Sequence, residues 1–82
     1  MPKLKRLSGK EIVKIFLSFG FIVEKTRGSH VKLTRNTQVA KQVLGVPLHA
    51  ELDKGTQKAI YTQALRYISE TEIRIHFYTD YT

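Results

Sequence analysis

The chain has 82 residues, with 14 Lys and Arg against 7 Asp and Glu, a formal charge of +7 and no cysteine. Such a length closes one modest core without a separate cofactor domain, and the missing cysteines exclude disulfides, thiolate nucleophiles and thiolate zinc sites. The three histidines, His30, His49 and His76, show no chelating spacing and no apolar run reaches the length of a membrane span or signal peptide, so no metal, cofactor or membrane partner is expected and the expected location is cytoplasmic.

Residues 1–7 form a basic leader without an apolar pattern, expected to be loosely ordered. Ser8 opens a helix, because with Glu11 it has the spacing of a capping box, in which each side chain satisfies a backbone N–H of the first turn. Ile12, Ile15, Phe16 and Phe19 follow at i, i+3, i+4 and i+7 as one apolar stripe for the core. Gly20 ends the helix, since glycine takes the left-handed conformation after the last turn without steric cost. Residues 21–26 are β-branched and aromatic with partial alternation and predict a strand, turned at Arg27-Gly28. Over 30–34 the alternation is clean, so Val31 and Leu33 face the core while His30, Lys32 and Thr34 share the opposite, open face. Arg35, Asn36 and Thr37 read as a polar turn, and residues 42–46 as a third strand stopped by Pro47. Residues 48–54 are a connecting loop containing His49. Asp53 or Thr56 caps a second helix with apolar positions Ile60, Tyr61, Ala64, Leu65 and Ile68, and Tyr67 at its edge. In the tail Ser69 and Glu72 have cap spacing, yet Ile73, Ile75 and Phe77 alternate as a strand does. The reading is a turn of helix over 69–73, then an extended segment.

This order predicts one α+β domain over residues 1–82, with a leader (1–7), a core fold (8–68) and a short C-terminal extension (69–82). The core is α-β-β-β-α, a three-stranded antiparallel sheet with both helices on one face, the order of a double-stranded-RNA-binding-like fold. Charge is shared unevenly: residues 1–41 hold ten basic side chains against Glu11 and Glu24, a balance of +8, and residues 42–82 hold four against five, a balance of −1. The excess shares a half with His30, as a polyanion-binding surface requires. Arg27-Gly28-Ser29-His30-Val31-Lys32 places that histidine just after a glycine turn, with cations on both sides. RNA cleavage needs those parts: a proton carrier of a type that titrates near neutrality and fixed positive charge for the reacting phosphate. An exposed strand histidine without a chemical role has the same signature.

Ser8 and Glu11 at the first helix, Gly20-Phe21 after it, Gly28-Ser29-His30 at the hairpin, Val46-Pro47 with His49 two residues on, and Lys54-Gly55-Thr56 entering the second helix, with Ile60 and Ala64 inside it, together resemble the HicA (YcfA-like) family of toxins from toxin–antitoxin pairs. The resemblance spans about residues 8–68. It implies an endoribonuclease toxin that cleaves messenger RNA (an mRNA interferase), a fold of the double-stranded-RNA-binding type, no metal, and neutralisation by a HicB-type antitoxin. His30 stands where that family carries its catalytic histidine. Gln57 departs from the family's usual leucine, Leu65 from its usual small residue, and the tail from Arg66 is longer than in many members. On this reading His30 is a general base toward the RNA 2′-hydroxyl, and Lys32 with Lys25 or Arg27 offsets charge on the phosphate. Gly28 and Ser29 let backbone and hydroxyl donors come close to it. His49 is the candidate by residue type for the acid that the leaving 5′-oxygen needs. A non-catalytic RNA-binding module and a basic protein-interaction domain share the same charge and fold and stand as alternatives.

Overall fold

In the computed structural model, which describes residues 2–79, the elements run β1 (Lys3–Leu4), α1 (Gly9–Ser18), β2 (Ile22–Arg27), β3 (His30–Asn36), β4 (Lys41–Pro47), α2 (Lys54–Ala64), α3 (Glu70–Phe77) and β5 (Tyr78–Thr79). Met1 and residues 80–82, the ends of the expected leader and extension, lie outside the described residues. The capping box forms: Ser8 Oγ accepts from the Glu11 N–H at 3.1 Å, and Glu11 Oε1 accepts from the Ser8 N–H at 2.8 Å. At the other end of α1, Gly20 takes φ +92°. Its N–H donates to Leu17 O at 3.0 Å and that of Phe21 to Phe16 O at 3.2 Å, the paired bonds of a Schellman cap. The Phe16 and Phe21 rings, 6.0 Å apart, supply the apolar contact that accompanies it. Asp53 caps α2 by accepting from the Thr56 N–H at 3.4 Å. Thr56, through its hydroxyl and then its N–H, holds the Asp53 carboxyl below its ordinary range.

Strands β2, β3 and β4 form an antiparallel sheet in that order. Its inner face contributes Val31, Leu33, Leu44 and Val46 to a core closed by Ile12 and Phe16 of α1 and by Ile60, Tyr61 and Ala64 of α2, all buried. The α+β class and the α-β-β-β-α order are those predicted.

Three segments fold otherwise than their patterns suggest. The leader is not loose: Lys3 and Leu4 pair antiparallel with Thr79 and Tyr78, the Lys5 N–H donates to Phe77 O at 2.8 Å, and Leu7 is buried. Gln57, a buried polar side chain, secures it, accepting from the Leu7 N–H at 3.3 Å and donating to Lys5 O at 2.6 Å, as a neighbouring strand would. The tail is helical through Phe77 rather than extended. Ile73 and Phe77, four residues apart, both enter the core, Phe77 with its ring 6.3 Å from Phe16 and 5.2 Å from Tyr61, which leaves Ile75 63% exposed. Among the described residues of the tail only Tyr78–Thr79 is extended, and a third helix joins the two expected. Finally, β3 runs on through Arg35, which is no turn residue. Its guanidinium lies 4.7 Å from the Phe21 ring centroid and donates to Phe19 O at 2.7 Å, Gln42 Oε1 at 2.7 Å and Tyr67 O at 3.1 Å, so it joins both helix ends to the sheet. Helix α2 stops at Ala64, and Leu65, its C-cap, is 38% exposed instead of packed.

Candidate active site

One irregularity in β2 decides which side chains stand beside His30. Ile22 pairs with Thr34 and Val23 with Leu33, but Lys25 rather than Glu24 pairs with Lys32, so a bulge at Glu24 adds one residue to the strand. Side chains alternate between faces, so unbroken pairing would turn Lys25 and Arg27 toward the helices. The extra residue reverses them: Lys25 stands opposite Lys32 and Arg27 opposite His30, all four on the open face. Gly28, at φ +59°, makes the turn that joins the two strands, in a conformation most side chains avoid.

Lys25, Arg27, His30, Lys32, Val43 and Gly45 line a shallow groove of about 370 Å³ on this face. Gly45 sits opposite Lys32, and a Cβ built on it meets nothing within 4 Å, so the missing side chain opens the groove over β4. Its N–H donates to Gln63 Oε1 at 3.1 Å, which ties the groove floor to α2. His30 is exposed and pairs with Pro47 on β4. Behind that pair the start of α1 docks: the Gly9 N–H donates to His49 O at 2.9 Å, and the Leu48 N–H bonds to Ser29 O. A Cβ on Gly9 would overlap Pro47 O outright, so glycine is what lets α1 approach so closely.

Of the residues singled out from the sequence, His30, Lys25, Arg27 and Lys32 are thus brought together. Ser29 supplies its carbonyl to hold the neighbouring loop. His49 is exposed in that loop, holds α1 through its own carbonyl, and stands outside the groove lining. Thr34 lies on the open face by register but is only 2% exposed, flanked by its partners Ile22 and Val43. Sequence reasoning missed Gly45, whose signal was a glycine inside a strand pattern, and Glu24, whose one local trace is the partial alternation of 21–26. Glu24 Oε2 lies 2.6 Å from Lys41 Nζ and Oε1 lies 3.3 Å from Lys32 Nζ. Lys41, and after it Lys32, holds the Glu24 carboxyl below its ordinary range. Among the described residues no three His, Asp or Glu side chains come together as a metal ion requires, and no helix is long and apolar enough to cross a membrane.

The family model for the HicA toxin of bacterial toxin-antitoxin matches residues 9–65, from the first residue of α1 to the C-cap of α2. The chain belongs to the HicA toxin family. No curated protein and no solved structure matches it. The HicA match takes in α1, the whole β2–β3–β4 sheet, α2 and every residue of the groove. It leaves out β1, α3 and β5. Gln57, within the matched region, bonds to Leu7 and Lys5, which precede it.

Proposed function

We propose that this HicA-family protein is the toxin of a HicA/HicB-type pair and acts as an endoribonuclease on messenger RNA, with His30 as the proton acceptor. The observation that carries the reading is the gathering of Lys25, Arg27 and Lys32 around an exposed His30 by a bulge that turns two of those cations onto its face. RNA brings its own nucleophile, so the protein has only to move protons and stabilise the crowded phosphorane. Neutral His30 takes the proton of the 2′-hydroxyl as its oxygen attacks the adjacent phosphorus, a contribution typically worth ~100- to 10,000-fold. Arg27 and Lys25 offset charge growing on the non-bridging oxygens. The P–O5′ bond then breaks, leaving a 2′,3′-cyclic phosphate and a 5′-oxygen. With His49 outside the groove lining, that oxygen takes its proton from water at the open face.

Affinity on such a surface comes mainly from phosphates and falls steeply with salt. Tryptophan is absent, and Phe16, Phe21 and Phe77 are buried, so aromatic stacking platforms do not contribute from those rings. A HicB-type antitoxin would neutralise the protein by covering His30 with acidic or apolar groups. Induced expression of the unaltered protein and of His30→Ala, scored for growth and RNA integrity, tests the reading. Growth arrest with RNA breakdown that His30→Ala abolishes supports the nuclease. Equal behaviour of both proteins with RNA binding retained indicates a binding module, and no RNA binding by either indicates a protein-interaction domain.

A further inference from the structure

Glu24 is the extra residue of the β2 bulge, and its carboxylate joins lysines from two other strands. One oxygen faces Lys32 Nζ on β3 at 3.3 Å and the other faces Lys41 Nζ on β4 at 2.6 Å. Lys41, on β4, pairs with Asn36 at the far end of the sheet, so its side chain reaches across β3 to meet Glu24 on β2. The three side chains keep 34% (Glu24), 48% (Lys32) and 49% (Lys41) of their exposure, and ion pairs this open hold weakly and exchange partners readily. A phosphodiester, also a singly charged anion, can give one of its two non-bridging oxygens to each of these ammonium groups as the carboxylate does.

Resting on the reading of the open face as an RNA-cleaving surface, we propose that Lys32 and Lys41 form a second phosphate subsite beside the His30 groove, which the Glu24 carboxylate fills until an RNA phosphate displaces it. At a strand rise of about 3.3 Å per residue, Lys32 lies roughly 7 Å along β3 from His30, and Asn36, the partner of Lys41, lies roughly 20 Å away. The subsite therefore takes a phosphate next to the scissile one and leads the RNA strand from the groove toward the Lys41 end of the sheet. Ile22 and Val43, exposed at 61% and 39% on either side of Thr34, give that path an apolar surface for a sugar or base. Arg27 and Lys25 stay with the scissile phosphate.

The test is binding of a 2′-O-methylated RNA oligonucleotide, which lacks the free nucleophile, followed by fluorescence anisotropy over a range of salt. The proteins are the unaltered chain, Glu24→Gln, Lys41→Gln and, as a control that removes the same charge elsewhere, Glu51→Gln, each checked for unchanged thermal unfolding. Glu24→Gln is expected to bind about three- to tenfold more tightly at low salt, with the log–log salt slope steeper by about 0.7, the value for one single-strand phosphate. Lys41→Gln is expected to bind more weakly with a flatter slope, and Glu51→Gln to gain less than Glu24→Gln. If Glu24→Gln gains nothing, or no more than Glu51→Gln, while the unaltered protein binds and cleaves RNA, the subsite is overturned and the nuclease reading stands. If the unaltered protein neither binds nor cleaves RNA, both fall.

Discussion

Replacing Gly9 by alanine adds one methyl group where the backbone has no room for it. Built on Gly9, a Cβ overlaps Pro47 O and lies 2.7 Å from Leu48 Cα and 2.9 Å from Pro47 C, all backbone atoms that no rotamer change can move aside. Helix α1 has to retreat by about an ångström, which stretches the 2.9 Å bond from the Gly9 N–H to His49 O. Overpacking of this kind costs about 1–3 kcal/mol, and a weakened backbone bond adds about 1 kcal/mol. The helix-propensity gain of alanine over glycine offsets at most about 1 kcal/mol. The net loss is about 1–3 kcal/mol, which for a domain of this size lowers the melting temperature by roughly 5–20 °C. Gly55→Ala is the matched control with the opposite sign, because its Cβ meets only the Asp53 carboxylate at an ordinary 3.4 Å and the substitution favours α2. Thermal unfolding followed by circular dichroism compares the two. A Gly9→Ala protein that melts at or above the unaltered one refutes the reasoning that close approach of α1 to Pro47 and Leu48 builds this end of the sheet.

Gln57→Leu leaves the buried Leu7 N–H and the Lys5 carbonyl without their partner, so the chain should lose about 1–3 kcal/mol and show faster amide exchange at Leu7 than at Leu33; equal protection would mean that the side chain secures nothing. Tyr61 is pushed up to about 12 by burial and then by the Glu70 carboxylate, to which its hydroxyl donates at 3.0 Å. A group whose folded value is raised stabilises fully below its ordinary value, so stability should hold to about pH 10 and decline toward pH 12, and Tyr61→Phe should flatten that decline in alkaline unfolding curves. His49→Ala should cleave RNA within about threefold of the unaltered rate, whereas a loss of ~100-fold would restore His49 as the acid.

What could be read from the sequence were devices confined to a few neighbouring residues. Ser8 with Glu11, Gly20, Gly28 and Asp53 each act through bonds within their own turn, and the strict alternation over 30–34 put His30 and Lys32 on the open face. What escaped were features settled between distant segments. The bulge at Glu24 changes no composition, because one extra residue in a strand is visible only against its partner β3, and the partial alternation of 21–26 was its faint trace. Ile73 and Phe77 fit both a strand of period two and a helical four-residue step; the space beside Phe16 and Tyr61 decides for the helix. The leader had no apolar pattern of its own, and its order comes from β5 and Gln57, fifty or more residues away along the chain. Nothing near Gly9 in the sequence marks the close approach of Pro47 and Leu48, which lie almost forty residues on.

The most direct measurement is incubation of an end-labelled RNA with purified unaltered and His30→Ala proteins, with the product ends identified and a second substrate carrying 2′-deoxyribose at the mapped cleavage position. Fragments ending in a 2′,3′-cyclic phosphate, absent with His30→Ala and absent at the deoxy position, are the expected outcome. Undiminished cleavage by His30→Ala, or cleavage at the deoxy position, would contradict proton transfer by that imidazole to an RNA held on the open face.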